Sequence, residues 1–123
     1  MTPIRRRVLE TLHHADRPLG AYDLADMLAP QGRRMPAATV YRALDFLIEQ
    51  GLAHRLASLN AYVASSQTRD GRGIAAFLIC ESCGEVSEVS SPELDEALSA
   101  LHKNHAFAPR ARVLELTGRC AHC

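Results

Sequence analysis

The cysteines constrain this chain most. All four fall in two C-x2-C pairs, ICESCG at Ile79–Gly84 and RCAHC at Arg119–Cys123. Such spacing turns both sulfurs of a pair toward one point, and a glycine such as Gly84 directly after the second cysteine permits the sharp bend that this requires. Metal binding, disulfide formation and thiol redox chemistry compete for such pairs. No apolar run approaches the roughly 20 residues that span a bilayer, and no export signal opens the sequence, so the chain is read as cytoplasmic. Stable disulfides are disfavoured in that compartment. No βαβ pattern of the kind that houses a redox pair surrounds either motif. The preferred reading is one closed, structural Zn2+ per chain, held by Cys80, Cys83, Cys120 and Cys123, with no position left open for catalysis. A redox pair and unliganded thiols are its rivals.

Ahead of the first pair, the apolar spacing is helical three times. Thr2 caps a first helix with Pro3 at its first position, and Ile4, Val8, Leu9 and Leu12 repeat on one face. The stretch ADRPLG breaks it. A short second helix covers Ala21–Ala29 and closes in a turn around Pro30 and Gly32. The third, PAATVYRALDFLIEQG, starts near Pro36 and ends at Gly51. Val40, Leu44, Leu47 and Ile48 line its inner face, which turns Thr39, Tyr41, Arg42 and Asp45 outward. LAHRLASLNAYVA then reads as two short strands around a turn at Ser58, Leu59 and Asn60.

Three helices followed by a hairpin is the order of a winged helix-turn-helix, whose third helix enters the DNA major groove. Its outward residues suit that task. Arg42 can donate two hydrogen bonds to guanine, and Thr39 and Tyr41 can meet phosphate or a thymine methyl. Arg5 to Arg7, with Arg33 and Arg34, are candidates for phosphate contacts. Whole-chain charge is silent, because 14 basic and 14 acidic residues cancel. The part up to Ala64 is mildly basic and the remainder mildly acidic, a small asymmetry in the same direction.

The polar run SSQTRDGRG, Ser65–Gly73, reads as a linker. The expected organisation is a winged helix over 1–64, a hinge over 65–76 and a dimerisation domain over 77–123. In the last part, FLIC and EVSEVS are strands flanking the first knuckle. SPELDEALSALHKNHA is a helix capped by Ser91 with Pro92 at its start, and RARVLELTG is a third strand leading to the second knuckle. A ββαβ unit this small needs a staple, which the zinc supplies. Leu94, Leu98 and Leu101 are expected to cover one sheet face, and the remaining face and edge are left for a second copy. The fold class is α+β and the expected assembly a homodimer.

Taken together, AYDLADML, PAATVYRALDFLIEQGLAHRL, SLNAYV, FLICESCGEV and CAHC resemble the ferric-uptake-regulator (Fur) family, and most of all its zinc-uptake-regulator (Zur) branch. The resemblance covers almost the whole chain. It implies a bacterial metal-responsive repressor that binds double-stranded operator DNA as a homodimer, with Tyr22 and Arg42 touching bases and the four cysteines holding the structural zinc. It also implies a second, regulatory zinc near the hinge, built from a histidine, a cysteine, a second histidine and a glutamate. His54 and Glu88 match the first and last of these, but Ser65 stands at the cysteine position and Gly73 at the second histidine, neither a good Zn2+ ligand. The regulatory site therefore reads as degraded. One alternative recruits Asp70, His102 or His105 as a further donor, and another takes the chain as a shortened form of a longer protein. No catalytic grouping or phosphate-binding loop is legible, so neither an enzyme nor a small-molecule substrate is expected. The competing non-DNA reading is a zinc-stabilised protein-interaction module.

Overall fold

The computed structural model describes residues 1–29, 32–65, 74–109 and 112–123. The expectations for Pro30, Asp70 and Gly73 lie outside these residues. The chain divides into two compact units, Met1–Thr68 and Arg69–Cys123.

In the first unit, helix α1 spans Pro3–His14, with the Thr2 hydroxyl accepting the Arg5 N–H at 3.3 Å and Pro3 in the first turn. It buries Val8 and Leu12. Helix α2 spans Ala21–Met27, and the Asp23 carboxylate accepts the Gly20 N–H at its start, 3.1 Å away. Helix α3 spans Ala37–Glu49 and buries Val40, Ala43, Leu44 and Leu47. The inner face differs from expectation by one residue, since Ala43 lies inside and Ile48 is half-buried. Positions 40, 43, 44 and 47 form one stripe at helical spacing, and Ile48 is a further 100° around from Leu47. Gly51 follows in the left-handed region, φ +73°, where a glycine avoids the strain of a side chain.

Strands β1 (Ala53–Leu56) and β2 (Ala61–Ala64) form the expected antiparallel hairpin, with Ala53 opposite Ala64 and Leu56 opposite Ala61. Asn60 takes φ +48° in the turn, a conformation to which asparagine is well suited. The segment read only as a helix breaker contributes as well. Leu19 forms a β-bridge to Tyr62, with the Leu19 N–H donating to the Tyr62 carbonyl at 3.0 Å and the Tyr62 N–H returning at 2.8 Å. Leu19, Leu24, Val40, Leu44 and Leu47 are among the fully buried side chains of one continuous core.

The second unit has the expected ββαβ order: β3 (Ala75–Cys80), β4 (Val86–Val89), α4 (Pro92–Asn104) and β5 (Val113–Gly118). Strand β3 is central, antiparallel to β4 and parallel to β5. It starts at Ala75, inside the segment read as hinge, and Ile74, Ala75 and Ala76 are all buried. Alanine's weak strand preference conceals that start in the sequence. Ser91 caps α4 by accepting the Leu94 N–H at 3.3 Å, and Asp95 accepts the Ile74 N–H at 3.2 Å. Leu94 and Leu98 are half-buried, but Leu101, in the last turn, is 51% exposed, so the expected three-leucine cover is two residues wide.

The α3 stripe yields a direct comparison. Leu44→Ala should cost about 2–5 kcal/mol as a fully buried truncation, and Ile48→Ala clearly less. The shift of the helical circular-dichroism midpoint in urea, measured on the full chain, checks the difference.

Candidate metal centre and nucleic-acid interface

Because β3 and β5 are parallel, their C-terminal ends leave the sheet on the same side, with Cys80 paired opposite Gly118. The chain beyond each strand end carries a C-x2-C turn, so topology alone brings the two knuckles together. Backbone bonds hold the first: the Gly84 N–H donates to the Cys80 carbonyl at 3.0 Å and the Cys80 N–H to the Glu85 carbonyl at 2.9 Å. Gly84, at φ +78°, makes the left-handed bend expected of it. The Glu81 N–H donates to the Gly118 carbonyl at 2.7 Å and ties the first knuckle to the end of β5.

All four sulfurs lie within 4.8 Å of one another. Separations are 3.5 Å for Cys80–Cys123, 3.6 Å for Cys83–Cys120 and 3.4 Å for Cys120–Cys123. A disulfide requires about 2.05 Å, and all four cysteines are free. A tetrahedral Zn2+ with bonds of about 2.3 Å to sulfur sets an S···S edge of about 3.8 Å. These three edges lie within a few tenths of an ångström of what zinc requires, the other sulfur pairs lie within 4.8 Å, and four soft thiols are the donor set it favours. Cys80 is buried, Cys120 half-buried, and Cys83 and Cys123 are exposed.

The electrostatics agree with the geometry. The backbone N–H groups of Cys83 and Cys120 point at the Cys80 sulfur, 3.4 and 3.3 Å away, and push its thiol down to about 5. The sulfurs of Cys120, Cys80 and Cys83 crowd Cys123 and drive its thiol upward. A second thiolate cannot form cheaply beside the first without a cation between them.

On the first unit, the outward face of α3 carries the residues read from the sequence. Tyr41 is 40% exposed, Arg42 and Asp45 are exposed, and Thr39 is half-buried. Tyr22, on α2, is 61% exposed. The arginines divide into two kinds. The Arg34 guanidinium is held by both oxygens of Asp26, at 2.6 and 3.3 Å, and lies 5.7 Å over the Tyr22 ring. Arg5 stacks 3.8 Å over Phe46, and Arg7 reaches the Leu28 carbonyl at 3.5 Å. Arg5, half-buried, and Arg7, exposed, thus each make a contact within their own unit. Arg6, Arg33 and Arg42 stand exposed.

The residues matching the regulatory set fall in separate units. His54, on β1, is half-buried in the first and Glu88, on β4, half-buried in the second. Ser65 follows β2, its N–H donating to the Leu52 carbonyl at 2.9 Å. His102 and His105 end α4 and are not in the cysteine cluster. The structure also gathers a set that motif reading passed over. Glu85 and His122 converge with Cys120, their ligand atoms within 4.8 Å of one another. The visible signal was a histidine inside the second C-x2-C loop.

Comparison with known proteins agrees with this arrangement. The model of the ferric uptake regulator family matches residues 1–117. The zinc uptake regulation protein of Escherichia coli K12 is 37% identical over 123 residues, 100% of this chain and 72% of its own length. That of Mycobacterium tuberculosis H37Rv is 29% identical over 116 residues, 94% of this chain and 85% of its own length. Among solved structures, a zinc uptake regulator in complex with zinc and DNA aligns at TM-score 0.85 and 38% identity, over 99% of this chain and 81% of that one. The crystal structure of holo XcZur aligns at 0.83 and 39%, over 99% and 84%. With winged helix, ββαβ unit and cysteine cage all in place, the chain belongs to the ferric uptake regulator family and is similar to its zinc uptake regulators.

Proposed function

We propose that this protein is a transcriptional repressor that binds operator DNA as a homodimer, with a structural Zn2+ on Cys80, Cys83, Cys120 and Cys123 and a regulatory zinc site reduced to His54 and Glu88. The observation that carries DNA binding is the exposed face of α3, where Arg42 stands free of the carboxylates that hold Arg17 and Arg34 among the described residues. Arg42 reads guanine through a bidentate contact, Thr39 and Tyr41 meet backbone or thymine methyl, and Tyr22 adds a contact from α2. The similar zinc uptake regulator solved with zinc and DNA supports this reading.

Dimerisation is supported by one face of the second unit's sheet. Leu78 pairs in register with Leu116, so both project from the same face, at 44% and 53% exposure, and Val89 on β4 joins them at 38%. An apolar stripe on a sheet face is what a self-complementary interface covers. A dimer presents two α3 helices to successive major grooves. At the regulatory position, a serine hydroxyl in place of a thiolate removes the soft ligand, and zinc at His54 and Glu88 does not act as the switch.

Three measurements test these assignments. Arg42→Ala should weaken binding to an in vitro selected DNA site by about 1–3 kcal/mol while the protein stays dimeric; unchanged affinity removes the base contact and favours a protein-interaction module. Cys80→Ser should release zinc by elemental analysis and dissociate or unfold the C-terminal unit in sedimentation; a zinc-loaded dimer contradicts the four-cysteine assignment. His54→Ala should leave DNA affinity in added zinc unchanged, whereas a loss of zinc-dependent binding shows that the regulatory site still works.

A further inference from the structure

The two knuckles carry donors that a four-cysteine shell does not use. His122 lies between Cys120 and Cys123, and Glu85 directly follows the first knuckle. A ring nitrogen of His122, a carboxylate oxygen of Glu85 and the Cys120 sulfur lie within 4.8 Å of one another. All three line one cavity of about 390 Å³ against the ends of β3 and β5. The backbone anchors the site on both sides. The Cys80 N–H donates to the Glu85 carbonyl at 2.9 Å, and the Cys120 N–H donates to the Cys80 sulfur at 3.3 Å.

We propose that Glu85, Cys120 and His122 form a second site for a thiophilic divalent cation, Zn2+ or Cd2+, with the Cys120 sulfur bridging to the ion in the four-cysteine shell. This inference rests on the four-cysteine reading. A thiolate bound to one cation keeps lone pairs for another. Sulfur, imidazole nitrogen and carboxylate oxygen bind zinc at about 2.3, 2.0–2.1 and 2.0–2.2 Å, which sets ligand atoms about 3.3–3.8 Å apart in a tetrahedron. Donors already within 4.8 Å reach that spacing through side-chain torsions, and both Glu85 and His122 are exposed and able to turn.

Charge favours a cation here. Four thiolates around one Zn2+ leave a net negative centre, Glu85 and the knuckle's Glu81 add to it, and Arg119 opposes it. Three protein ligands leave a fourth position for water, so this ion exchanges where the closed shell does not. The site is thus a labile metal position in the C-terminal unit, built without His54, Glu88 or Ser65.

Cadmium-113 NMR of the full chain tests the proposal. Protein carrying one 113Cd2+ per chain in the four-sulfur shell is titrated with further 113Cd2+. The expected result is a second bound equivalent with its own resonance, shifted from the first toward the range of mixed sulfur, nitrogen and oxygen ligands. His122→Ala and Glu85→Gln should each abolish or strongly weaken the second signal and keep the first. Titration that stops at one equivalent, or a second signal that survives His122→Ala unchanged, overturns the proposal. Absence of even the first four-sulfur signal removes the underlying four-cysteine assignment instead, so the two failures are distinct.

Discussion

The parallel pairing of β3 with β5 is the constraint on which the C-terminal unit depends. Two parallel strands end on the same side of a sheet, and here each end runs directly into a C-x2-C turn. The ladder from Ala75 opposite Val113 to Cys80 opposite Gly118 therefore decides which sulfurs can meet. Slipping the register by one residue would turn the Cys80 side chain to the other face and dismantle the cage. The unit is small, and α4 has no fully buried residue. Sheet and cage thus depend on each other: the strands gather the ligands, and in the proposed zinc-bound state the four bonds close the end of a sheet that little else covers.

Local chemistry made much of this legible in the sequence. Thr2 with Pro3 and Ser91 with Pro92 cap the two helices they were expected to cap, and Gly51 lies just past the end of α3 in the left-handed conformation that favours glycine. The cysteine spacing anticipated the four-sulfur cluster that the fold assembles. What escaped has physical causes. The Leu19–Tyr62 bridge joins residues far apart in the chain and leaves no periodic trace. Ile74, Ala75 and Ala76 were hidden by polar neighbours and by alanine's indifference to strand. The fates of Arg5, Arg7 and Arg34 depend on tertiary neighbours, namely Phe46, Leu28 and Asp26, that no charge count can anticipate.

That division among the arginines also explains why a chain of zero net charge can be read as a DNA-binding protein. A guanidinium clamped by a carboxylate, as Arg34 is by Asp26, has its charge offset locally, whereas one stacked on a ring, as Arg5 is on Phe46, keeps it. Arg6, Arg33 and Arg42 remain exposed. Specific recognition needs a few well-placed groups on a rigid element, and α3 supplies such an element because its inner stripe is locked into the core.

The bridge between Leu19 and Tyr62 has a mechanical meaning. A free two-stranded ribbon twists and flexes readily. Stitching its inner strand to the loop between α1 and α2 couples the wing to the helices close to the hairpin turn, one residue inside the Leu56–Ala61 pair. Force applied to the tip at Ser58 or Leu59 is then shared with the helical core. A load on the wing tip is thereby passed through Tyr62 and Leu19 to the segment that joins α1 to α2.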